Sequence, residues 1–310
     1  MINKETNTDA TTKCALIAVI GAPNSGKSTL VNKVVGSKVS IVTPKAQTTR
    51  NLVRGITTIQ SSQLIFIDTP GIFKTAKRRL ERSMVKAAWS GVREADVVIL
   101  VVDGSKKISR DLSLILNNLA TKNDKTPNLT LVINKTDISE KQKLLELTHE
   151  IHDVVSIQNT FMVSAKTGEG LYDITSLLKE IAPPGPWLFP EDDISDMPLR
   201  LLAAEITREK LYFFLQQELP YECMVETTDW INSHNGDCHV HQIITVTRDS
   251  QKPIVLGAGG KKLKNIGTHA RQELERLLEH KVHLFIHVKV EPQWKDKRSY
   301  YSTWGLDFDL

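Results

Sequence analysis

A glycine-rich run near the start of the chain has the residue types needed to hold phosphate groups. It matches G-x-x-x-x-G-K-S and consists of Gly21, Ala22, Pro23, Asn24, Ser25, Gly26, Lys27 and Ser28. Glycine lets such a loop curl so that its backbone N–H groups converge on an anion. Because the loop follows an apolar run and opens a helical pattern, we expect Lys27 to reach the β- and γ-phosphates and Ser28 to bind Mg²⁺. The run therefore predicts a nucleoside triphosphate site.

A second motif that can contact the same phosphates follows the next apolar run. It consists of Asp68, Thr69, Pro70 and Gly71. Asp68 is placed to hold Mg²⁺, directly or through water, and the N–H of Gly71 is placed to meet a γ-phosphate. D-x-P-G alone is a common turn, but its position after a phosphate loop and a strand favours the nucleotide-site interpretation.

Two later motifs indicate which base is bound. They are Asn134-Lys135-Thr136-Asp137 and Ser164-Ala165-Lys166, and each lies at the end of an apolar run. The carboxylate of Asp137 can accept both the N1–H and the 2-amino group of guanine, whereas adenine offers neither donor. The backbone of the second motif is placed to contact the guanine O6. The expected nucleotides are therefore GTP and GDP.

The order of these motifs over residues 21–166 resembles that of the translation-factor class of GTPases. In that class, a threonine between the phosphate loop and D-x-x-G binds Mg²⁺ only when GTP is present. Here the run Gln47–Arg50 contains two candidates, Thr48 and Thr49, and their spacing does not choose between them. The resulting set of predicted metal ligands is Ser28, Thr48, Thr49 and Asp68. The predicted catalytic residues are Lys27, Thr48, Thr49 and Gly71.

One departure from related sequences concerns the attacking water. Many small GTPases place Gln directly after D-x-x-G to orient this water, whereas this chain has Ile72. We therefore expect slow intrinsic hydrolysis that is helped by the backbone, a partner or a cation. In GTPases that share G-x-P-N-x-G-K-S, an asparagine such as Asn24 can help to hold K⁺ near the phosphates. K⁺ is thus a candidate cofactor, and the alternative is that Asn24 only shapes the loop.

A second glycine-rich segment lies in the last third of the chain. Its apolar-G-x-x-G pattern, the lysines after it, Ile266-Gly267 and Ala270-Arg271 together resemble a KH RNA-binding domain. Such a turn brings the protein backbone close to an RNA backbone, with bases in the adjacent groove, and the lysines can neutralise phosphates. The predicted RNA-binding residues are Gly257, Ala258, Gly259, Gly260, Lys261, Lys262, Lys264 and Arg271. The alternative is a glycine-rich turn in an unrelated α+β domain.

Alternating apolar runs and amphipathic stretches predict the elements that position the first set of motifs. The predicted strands are 14–20, 64–67, 96–102, 129–133 and 160–163, and the predicted helices are 27–35, 79–92, 109–120, 139–151 and 170–181. Such alternation is typical of an α/β P-loop GTPase domain, with a mostly parallel sheet and helices on both faces. Residues 51–59 alternate more strongly and fit an antiparallel edge strand.

A different order of elements follows a segment rich in prolines and acidic residues. We predict helices over 199–215 and 268–279, a short extra helix over 261–265, and strands over 223–228, 238–247 and 282–290. Antiparallel strands beside grouped helices indicate an α+β domain of the type II KH arrangement. The predicted organisation is a polar extension (1–13), a GTPase domain (14–182), a linker (183–197), a KH domain (198–292) and a tail (293–310).

The composition fits a two-domain globular protein. The chain has 310 residues, 40% of them hydrophobic and 25% charged, which excludes a mainly disordered or fibrous chain. No apolar stretch approaches 18 residues, and the polar start lacks the apolar core of a secretory signal. Three cysteines without C-x-x-C spacing argue against a disulfide framework and fit a reducing cytosol. Seven of the nine histidines lie beyond residue 230, where we expect surface positions or partial RNA contacts rather than a metal site.

The combination resembles the Era family of bacterial GTPases over roughly residues 14–292. Segments that match closely are Gln47–Arg50, Asp68–Gly71, Phe189–Asp192, Glu205–Lys210 and Leu219–Tyr221. The resemblance implies GTP hydrolysis coupled to binding near the 3′ end of 16S ribosomal RNA during small-subunit assembly, with RNA rather than DNA as partner. It also implies a cytoplasmic protein that associates peripherally with the inner membrane face. Two alternatives are a GTP-regulated RNA-binding adaptor with marginal hydrolysis, and another ribosome or tRNA-modification GTPase with an incidental α+β domain.

Overall fold

The first half of the chain forms a six-stranded sheet in a computed structural model that describes residues 12–45, 48–73, 78–121, 128–233 and 235–309. Its strands are β1 (Lys13–Ile20), β2 (Val53–Ile59), β3 (Ser62–Asp68), β4 (Val97–Asp103), β5 (Leu129–Asn134) and β6 (Asn159–Met162). The order is β2-β3-β1-β4-β5-β6, and β2 alone runs antiparallel to its neighbour. The predicted mostly parallel sheet and its antiparallel edge strand are both confirmed.

Helices cover both faces of this sheet. They are α1 (Lys27–Val35), α2 (Arg79–Glu94), α3 (Arg110–Ala120), α4 (Lys141–His152) and α5 (Leu171–Ile181). One hydrophobic core joins the sheet to α2, α3 and α4, and a second joins it to α1 and α5. All seven residues of β4 are buried, which explains why its sequence is a nearly continuous apolar run. The phosphate loop therefore starts from the rigid centre of the domain.

The segment predicted as a linker, 183–197, follows the edge of the first sheet. The N–H of Ile56 on β2 donates to the carbonyl oxygen of Ile194 at 2.9 Å. The guanidinium of Arg54 pairs with the Asp196 carboxylate at 2.7 Å. The side-chain oxygen of Gln63 accepts hydrogen bonds from the N–H groups of Leu188 and Phe189. The exposed edge of β2 is thus partly covered by the chain itself.

The second half of the chain packs three helices and one short turn of helix against a three-stranded sheet. The elements are α6 (Leu199–Phe214), α7 (Leu219–Glu222), β7 (Met224–Asn232), β8 (Cys238–Val246), α8 (Gln251–Leu256), α9 (Lys261–Leu278) and β9 (Val282–Val290). The order is β7-β8-β9. Two hydrophobic cores, built mainly from α6, α9 and the three strands, lie on the covered face of this sheet.

Two expectations about this domain were wrong in detail. The strands β8 and β9 pair parallel, not antiparallel, because α8 and α9 form a crossover that returns the chain to the same end of the sheet. The expected helices 261–265 and 268–279 are one helix, α9, since a glycine inside a helix costs only about 1 kcal/mol. A Cβ at Gly267 would lie 3.5 Å from Ile286 Cδ1, so this position lies against β9.

The tail contains a short helix, α10 (Arg298–Thr303), and is held by aromatic side chains. Trp294, Tyr301 and Trp304 are buried in a cluster that also contains Met84 of α2 and Met224 of β7. The tail therefore contacts both halves of the molecule. Within the described residues, no helix is both long enough and apolar enough to span a membrane.

Candidate functional site

The phosphate loop curls between β1 and α1 with backbone angles that few side chains tolerate. Asn24 has φ 64° and Gly26 has φ 100°, and asparagine is among the few residues with a side chain that adopt such angles readily. A Cβ at Gly26 would lie 2.1 Å from Nδ2 of Asn134. Glycine is thus needed at residue 26, where the loop meets the motif predicted to bind guanine.

Lys27 lies under this loop. Its Nζ donates to the carbonyl oxygens of Gly21 and Ala22, both at 3.1 Å. Burial lowers the pKa of Lys27 to about 8, although the nearby Asp68 carboxylate partly opposes this effect. The loop therefore holds a poorly solvated ammonium group next to the place where phosphates are expected.

Three oxygen-bearing side chains converge beside Lys27. The hydroxyl of Ser28 donates to Asp68 Oδ2 at 2.6 Å, and its oxygen lies 3.1 Å from Thr49 Oγ1. The other carboxylate oxygen, Asp68 Oδ1, is buried without a hydrogen-bond partner among the described residues. Burial raises the pKa of Asp68 despite the hydrogen bond from Ser28. Such a set of hard oxygen atoms, one of them unpaired, fits Mg²⁺.

The structure separates the two threonine candidates. The hydroxyl of Thr48 donates to the carbonyl oxygen of Lys45 at 2.9 Å and lies 2.8 Å from Thr43 Oγ1. It is therefore engaged within its own loop, whereas Thr49 lies beside Ser28. Gln47, from the same predicted loop, lies outside the described residues.

The D-x-P-G segment packs closely on the phosphate loop. A Cβ at Gly71 would lie 3.0–3.2 Å from atoms of Pro23, so these two loops are in near contact. The hydroxyl of Thr69 donates to the carbonyl oxygen of Val19 at 2.8 Å. Ile72 is fully buried in the core with Ala18. Its side chain is therefore directed into the core and does not line the nucleotide cleft.

The residues predicted to bind guanine form a connected network. Asn134 Nδ2 donates to the carbonyl oxygen of Ser25 at 2.9 Å, and Asn134 Oδ1 accepts from the N–H of Ala165 at 2.9 Å. The hydroxyl of Ser164 donates to Asp137 Oδ1 at 2.8 Å. Asn134 thus ties the phosphate loop to the third motif, while Asp137 is exposed and oriented by Ser164. Lys166 is also exposed.

Two residues were missed by the sequence reasoning: Asp103, which holds the cleft-lining Lys135, and Phe213, which lines the cleft itself. Asp103, at the end of β4, accepts a hydrogen bond from Lys135 Nζ at 2.7 Å. Burial raises the pKa of Asp103, but the hydrogen bonds from Lys135 and Ser105 and the charge of Lys135 together outweigh it, so the pKa lies below its ordinary value. A carboxylate directly after an apolar run was the available signal. Phe213 of α6 lines the same cleft, which has a volume of about 490 Å³, and nothing in the sequence indicated this.

The second glycine-rich segment forms a turn between α8 and α9. Gly257 has φ 72°, and a Cβ there would lie 2.6 Å from Lys262 Cβ. A groove of about 380 Å³ opens beside the turn between α9 and β9. It is lined by Gly260, Leu263, Lys264, Gly267, Thr268, Arg271, Leu284 and Ile286. The predicted glycine turn and groove therefore lie side by side.

The basic residues at this groove are not equivalent. Lys261 and Lys264 are exposed. Arg271 donates to both carboxylate oxygens of Glu275, at 2.8 and 2.9 Å, so part of its charge is already neutralised. We expect the two exposed lysines to provide more of the attraction to phosphate than Arg271 does.

Most of the histidines on the sheet lie away from the groove. His239 and His283 stack with their ring centroids 4.6 Å apart, and His241 stacks on Phe285 at 4.7 Å. These residues alternate with the groove-lining residues of β9 and so occupy the opposite face of the sheet. The structure does not bring them together with the RNA-binding candidates, and His234 lies outside the described residues.

Comparison with known proteins agrees with this geometry. A family model described as 50S ribosome-binding GTPase matches residues 16–135, and a KH domain model matches residues 218–295. GTPase Era of Rhizobium meliloti is 50% identical over 297 residues, which cover 96% of this chain and 94% of that one. GTPase Era of Mesorhizobium japonicum is 49% identical over 308 residues, which cover 99% of this chain and 98% of that one.

Solved structures give the same result. A variant of Aquifex aeolicus Era bound to GDP·AlF4⁻ superposes with a TM-score of 0.88 at 38% identity, covering 95% of this chain and 99% of that one. A structure of Era in complex with MgGDPNP and nucleotides 1506–1542 of 16S ribosomal RNA gives the same values. The fold and the nucleotide cleft define a P-loop GTPase that carries a KH domain. The chain belongs to the Era family, and its activity is the hydrolysis of GTP to GDP and phosphate.

Proposed function

We propose that this GTPase uses its nucleotide cycle to control binding near the 3′ end of 16S ribosomal RNA during assembly of the small ribosomal subunit. The observation that carries the proposal is the open groove beside the 257–260 turn, which exposed Lys264 lines and which exposed Lys261 follows directly in the chain. The Era structure with nucleotides 1506–1542 of that RNA supports the choice of partner, since it covers 95% of this chain. A cytoplasmic location with peripheral association at the inner membrane face belongs to the same proposal and is supported by the family resemblance.

Mg²⁺ is the proposed metal cofactor. Ser28, Thr49 and Asp68 would hold it, because their oxygens converge and Asp68 Oδ1 is unpaired among the described residues. When bound, Mg²⁺ neutralises charge on the β- and γ-phosphates. The ammonium of Lys27 binds the same phosphates, and the N–H of Gly71 is placed to contact the γ-phosphate. Water then attacks the γ-phosphorus in line, the bond to the β–γ bridging oxygen breaks, and GDP leaves while the proton of the water passes to the released phosphate. The ammonium and N–H donors stabilise the charge that develops.

A potassium ion is the proposed second cation. Asn24 Nδ2 donates to the carbonyl oxygen of Pro44 at 3.2 Å, so the side-chain amide lies beside the backbone of the loop before Thr48. Neutral oxygens from this amide, that backbone and the phosphates are the ligands expected for K⁺. The alternative is that this hydrogen bond only fixes the loop.

One observation favours a second candidate function, a GTP-regulated RNA-binding adaptor with marginal hydrolysis. Ile72 is apolar and buried in the core, so its side chain cannot orient the attacking water. The two functions differ in how phosphate release responds to RNA. A switch should release phosphate faster when a short pyrimidine- and adenine-rich RNA is added, whereas an adaptor should show low release with and without it.

The RNA-binding part of the proposal is tested by the double variant Ala258→Asp/Gly259→Asp. A Cβ at Gly259 would meet no atom within 4 Å, and aspartate tolerates a positive φ, so the fold should survive. Two carboxylates at the turn should repel the RNA backbone. We expect affinity for an RNA with the sequence of nucleotides 1506–1542 to collapse, while GDP affinity stays within a few-fold.

The matched control is Gln216→Glu/Asn235→Asp, which adds the same charge at two exposed positions of the second domain outside the groove. It should bind RNA nearly as well as the parent protein. Equal RNA affinity in both double variants would show that the groove is not the RNA site.

A further inference from the structure

Thr49 is held in place by side chains that connect the two halves of the molecule. On one side of it, Arg208 of α6 reaches across and donates from Nη2 to the carbonyl oxygen of Thr48 at 2.5 Å. On the other side, Arg50 reaches back and donates to the carbonyl oxygens of Cys223 and Tyr221 at 3.0 and 3.1 Å. The residues before and after Thr49 are therefore both bound to the second half of the chain.

The side chain of Arg208 is held by contacts within the second half of the chain as well as by Thr48. Its side chain is 1% exposed, and its Nε donates to Glu205 Oε1 at 2.7 Å. It also donates to the hydroxyl of Tyr212 at 3.3 Å. Because α6 sets the position of this planar guanidinium, the group that meets the Thr48 carbonyl is rigid rather than a flexible surface chain.

Arg50 is equally enclosed. It is 3% exposed, and its guanidinium carbon lies 5.8 and 5.6 Å from the ring centroids of Trp294 and Trp304 in the tail. Separation of the two halves would remove both its carbonyl partners and its aromatic neighbours. A buried cation cannot lose such partners without taking up water, so this contact resists partial opening.

The residues that precede Thr48 in the chain are also bonded to α6 and to the residue that follows it. The N–H of Val42 donates to Glu209 Oε1 at 2.9 Å, and Lys38 Nζ pairs with Glu209 Oε2 at 2.7 Å. Lys45 Nζ donates to the carbonyl oxygen of Leu215 at 2.6 Å. The loop that carries Thr49 is thus held by the second half of the chain both before and after this residue.

We propose that Arg208 is a positioning residue for GTP hydrolysis. By holding the Thr48 carbonyl, it orients the next residue so that Thr49 Oγ1 lies beside Ser28, where the metal and γ-phosphate are expected. Arg208 does not line the nucleotide cleft and would act through Thr49. By reciprocity, GTP with Mg²⁺ favours the docked arrangement of the second domain. This inference rests on the proposed role of Thr49 as a metal ligand.

The test compares Arg208→Met, Thr49→Ala and the double variant in the full-length protein. The measurement is the affinity for fluorescently labelled GDPNP and GDP as Mg²⁺ is titrated. Loss of a hydrogen bond from a charged group predicts that Arg208→Met weakens Mg²⁺-dependent GDPNP binding by about 10- to 100-fold. GDP affinity should change little. The kcat for GTP hydrolysis should fall in parallel with the affinity for GDPNP.

The double variant separates positioning from a general structural effect. If Arg208 acts through Thr49, the double variant should bind GDPNP no more weakly than Thr49→Ala alone. Additive losses would overturn the proposal. The matched control is Arg200→Met, an exposed arginine on the same helix, which should behave like the parent protein.

Two further outcomes are decisive. If Thr49→Ala leaves Mg²⁺-dependent GDPNP binding unchanged, the metal role of Thr49 is wrong. If Thr49→Ala weakens binding and Arg208→Met does not, only the positioning role of Arg208 is wrong. Should Arg208→Met fail to fold because Glu205 is left unpaired, the double variant Glu205→Gln/Arg208→Met, which removes both charges, takes the place of Arg208→Met in the same comparison. Its reference is then Glu205→Gln alone.

Discussion

Guanine selection can be tested by replacing Asp137 with asparagine. Ser164 Oγ donates to Asp137 Oδ1 at 2.8 Å. In Asp137→Asn this hydroxyl should keep its hydrogen bond to the side-chain oxygen, because the amide nitrogen cannot accept a hydrogen bond. The amide nitrogen then takes the position of Oδ2 and presents donors to the base. Guanine offers donors at N1 and at its 2-amino group, so attraction becomes repulsion, whereas xanthine has a carbonyl oxygen at C2.

The size of the effect follows from the hydrogen bonds that change. Loss of a hydrogen bond to a charged group costs about 1.5–3 kcal/mol, which corresponds to roughly 10- to 150-fold in affinity. Asp137 is exposed before nucleotide binds, so water can solvate groups left unpaired, and we expect the lower half of this range. XTP should gain affinity because its carbonyl now meets an amide donor.

The assay is competition of GTP and XTP against a fluorescent nucleotide for the parent protein and for Asp137→Asn. Asp153→Asn, the same change at an exposed aspartate at the end of α4 and outside the hydrogen-bond network of Asn134, Asp137 and Ser164, is the control and should keep the preference for GTP. If Asp137→Asn also still prefers GTP to XTP, the assignment of the guanine-binding motif is refuted.

Two further predictions concern the phosphate site. K⁺ should accelerate GTP hydrolysis at least severalfold over Na⁺ at equal ionic strength. Asn24→Ala should remove this difference while GDP affinity is retained. Equal hydrolysis rates of the parent protein in the two salts would reject the cation site. Burial lowers the pKa of Lys27 to about 8, so its charge is present below pH 8 and is lost as the pH rises through that value. GTP affinity measured by fluorescence should therefore be constant from pH 6 to 7 and about tenfold weaker at pH 9, and a constant affinity over the whole range would contradict this role for Lys27.

Much of the first domain could be predicted because local sequence determines it. The phosphate loop must curl where β1 ends and α1 begins, and the continuous apolar run of β4 identifies a strand buried on both faces. Even the antiparallel edge strand β2 was indicated by its alternation. The same holds for the glycine turn before α9, whose residue types follow from backbone angles.

The parts that could not be predicted depend on contacts distant in sequence. The tail has only a six-residue helix, and its position depends on Trp294 and Trp304 packing around Arg50, more than 200 residues earlier. The parallel pairing of β8 with β9 depends on the path of α8 and α9 rather than on strand composition. Arg208 lies in a segment that only matched the family pattern, and its contact with Thr48 is visible only in three dimensions.

The course of the chain between the two domains limits how they can move. A free tether of about fifteen residues could extend roughly 50 Å, but Ile194 and Asp196 are hydrogen-bonded to β2. Met197 and Pro198 then form the joint, which can span only about 7 Å before α6 begins. Proline also fixes one of the backbone angles at this joint. This chain path allows the second domain to pivot about a point at the sheet edge but not to travel away from it. Under the proposed nucleotide switch, a change at the nucleotide would therefore rotate the groove beside the 257–260 turn.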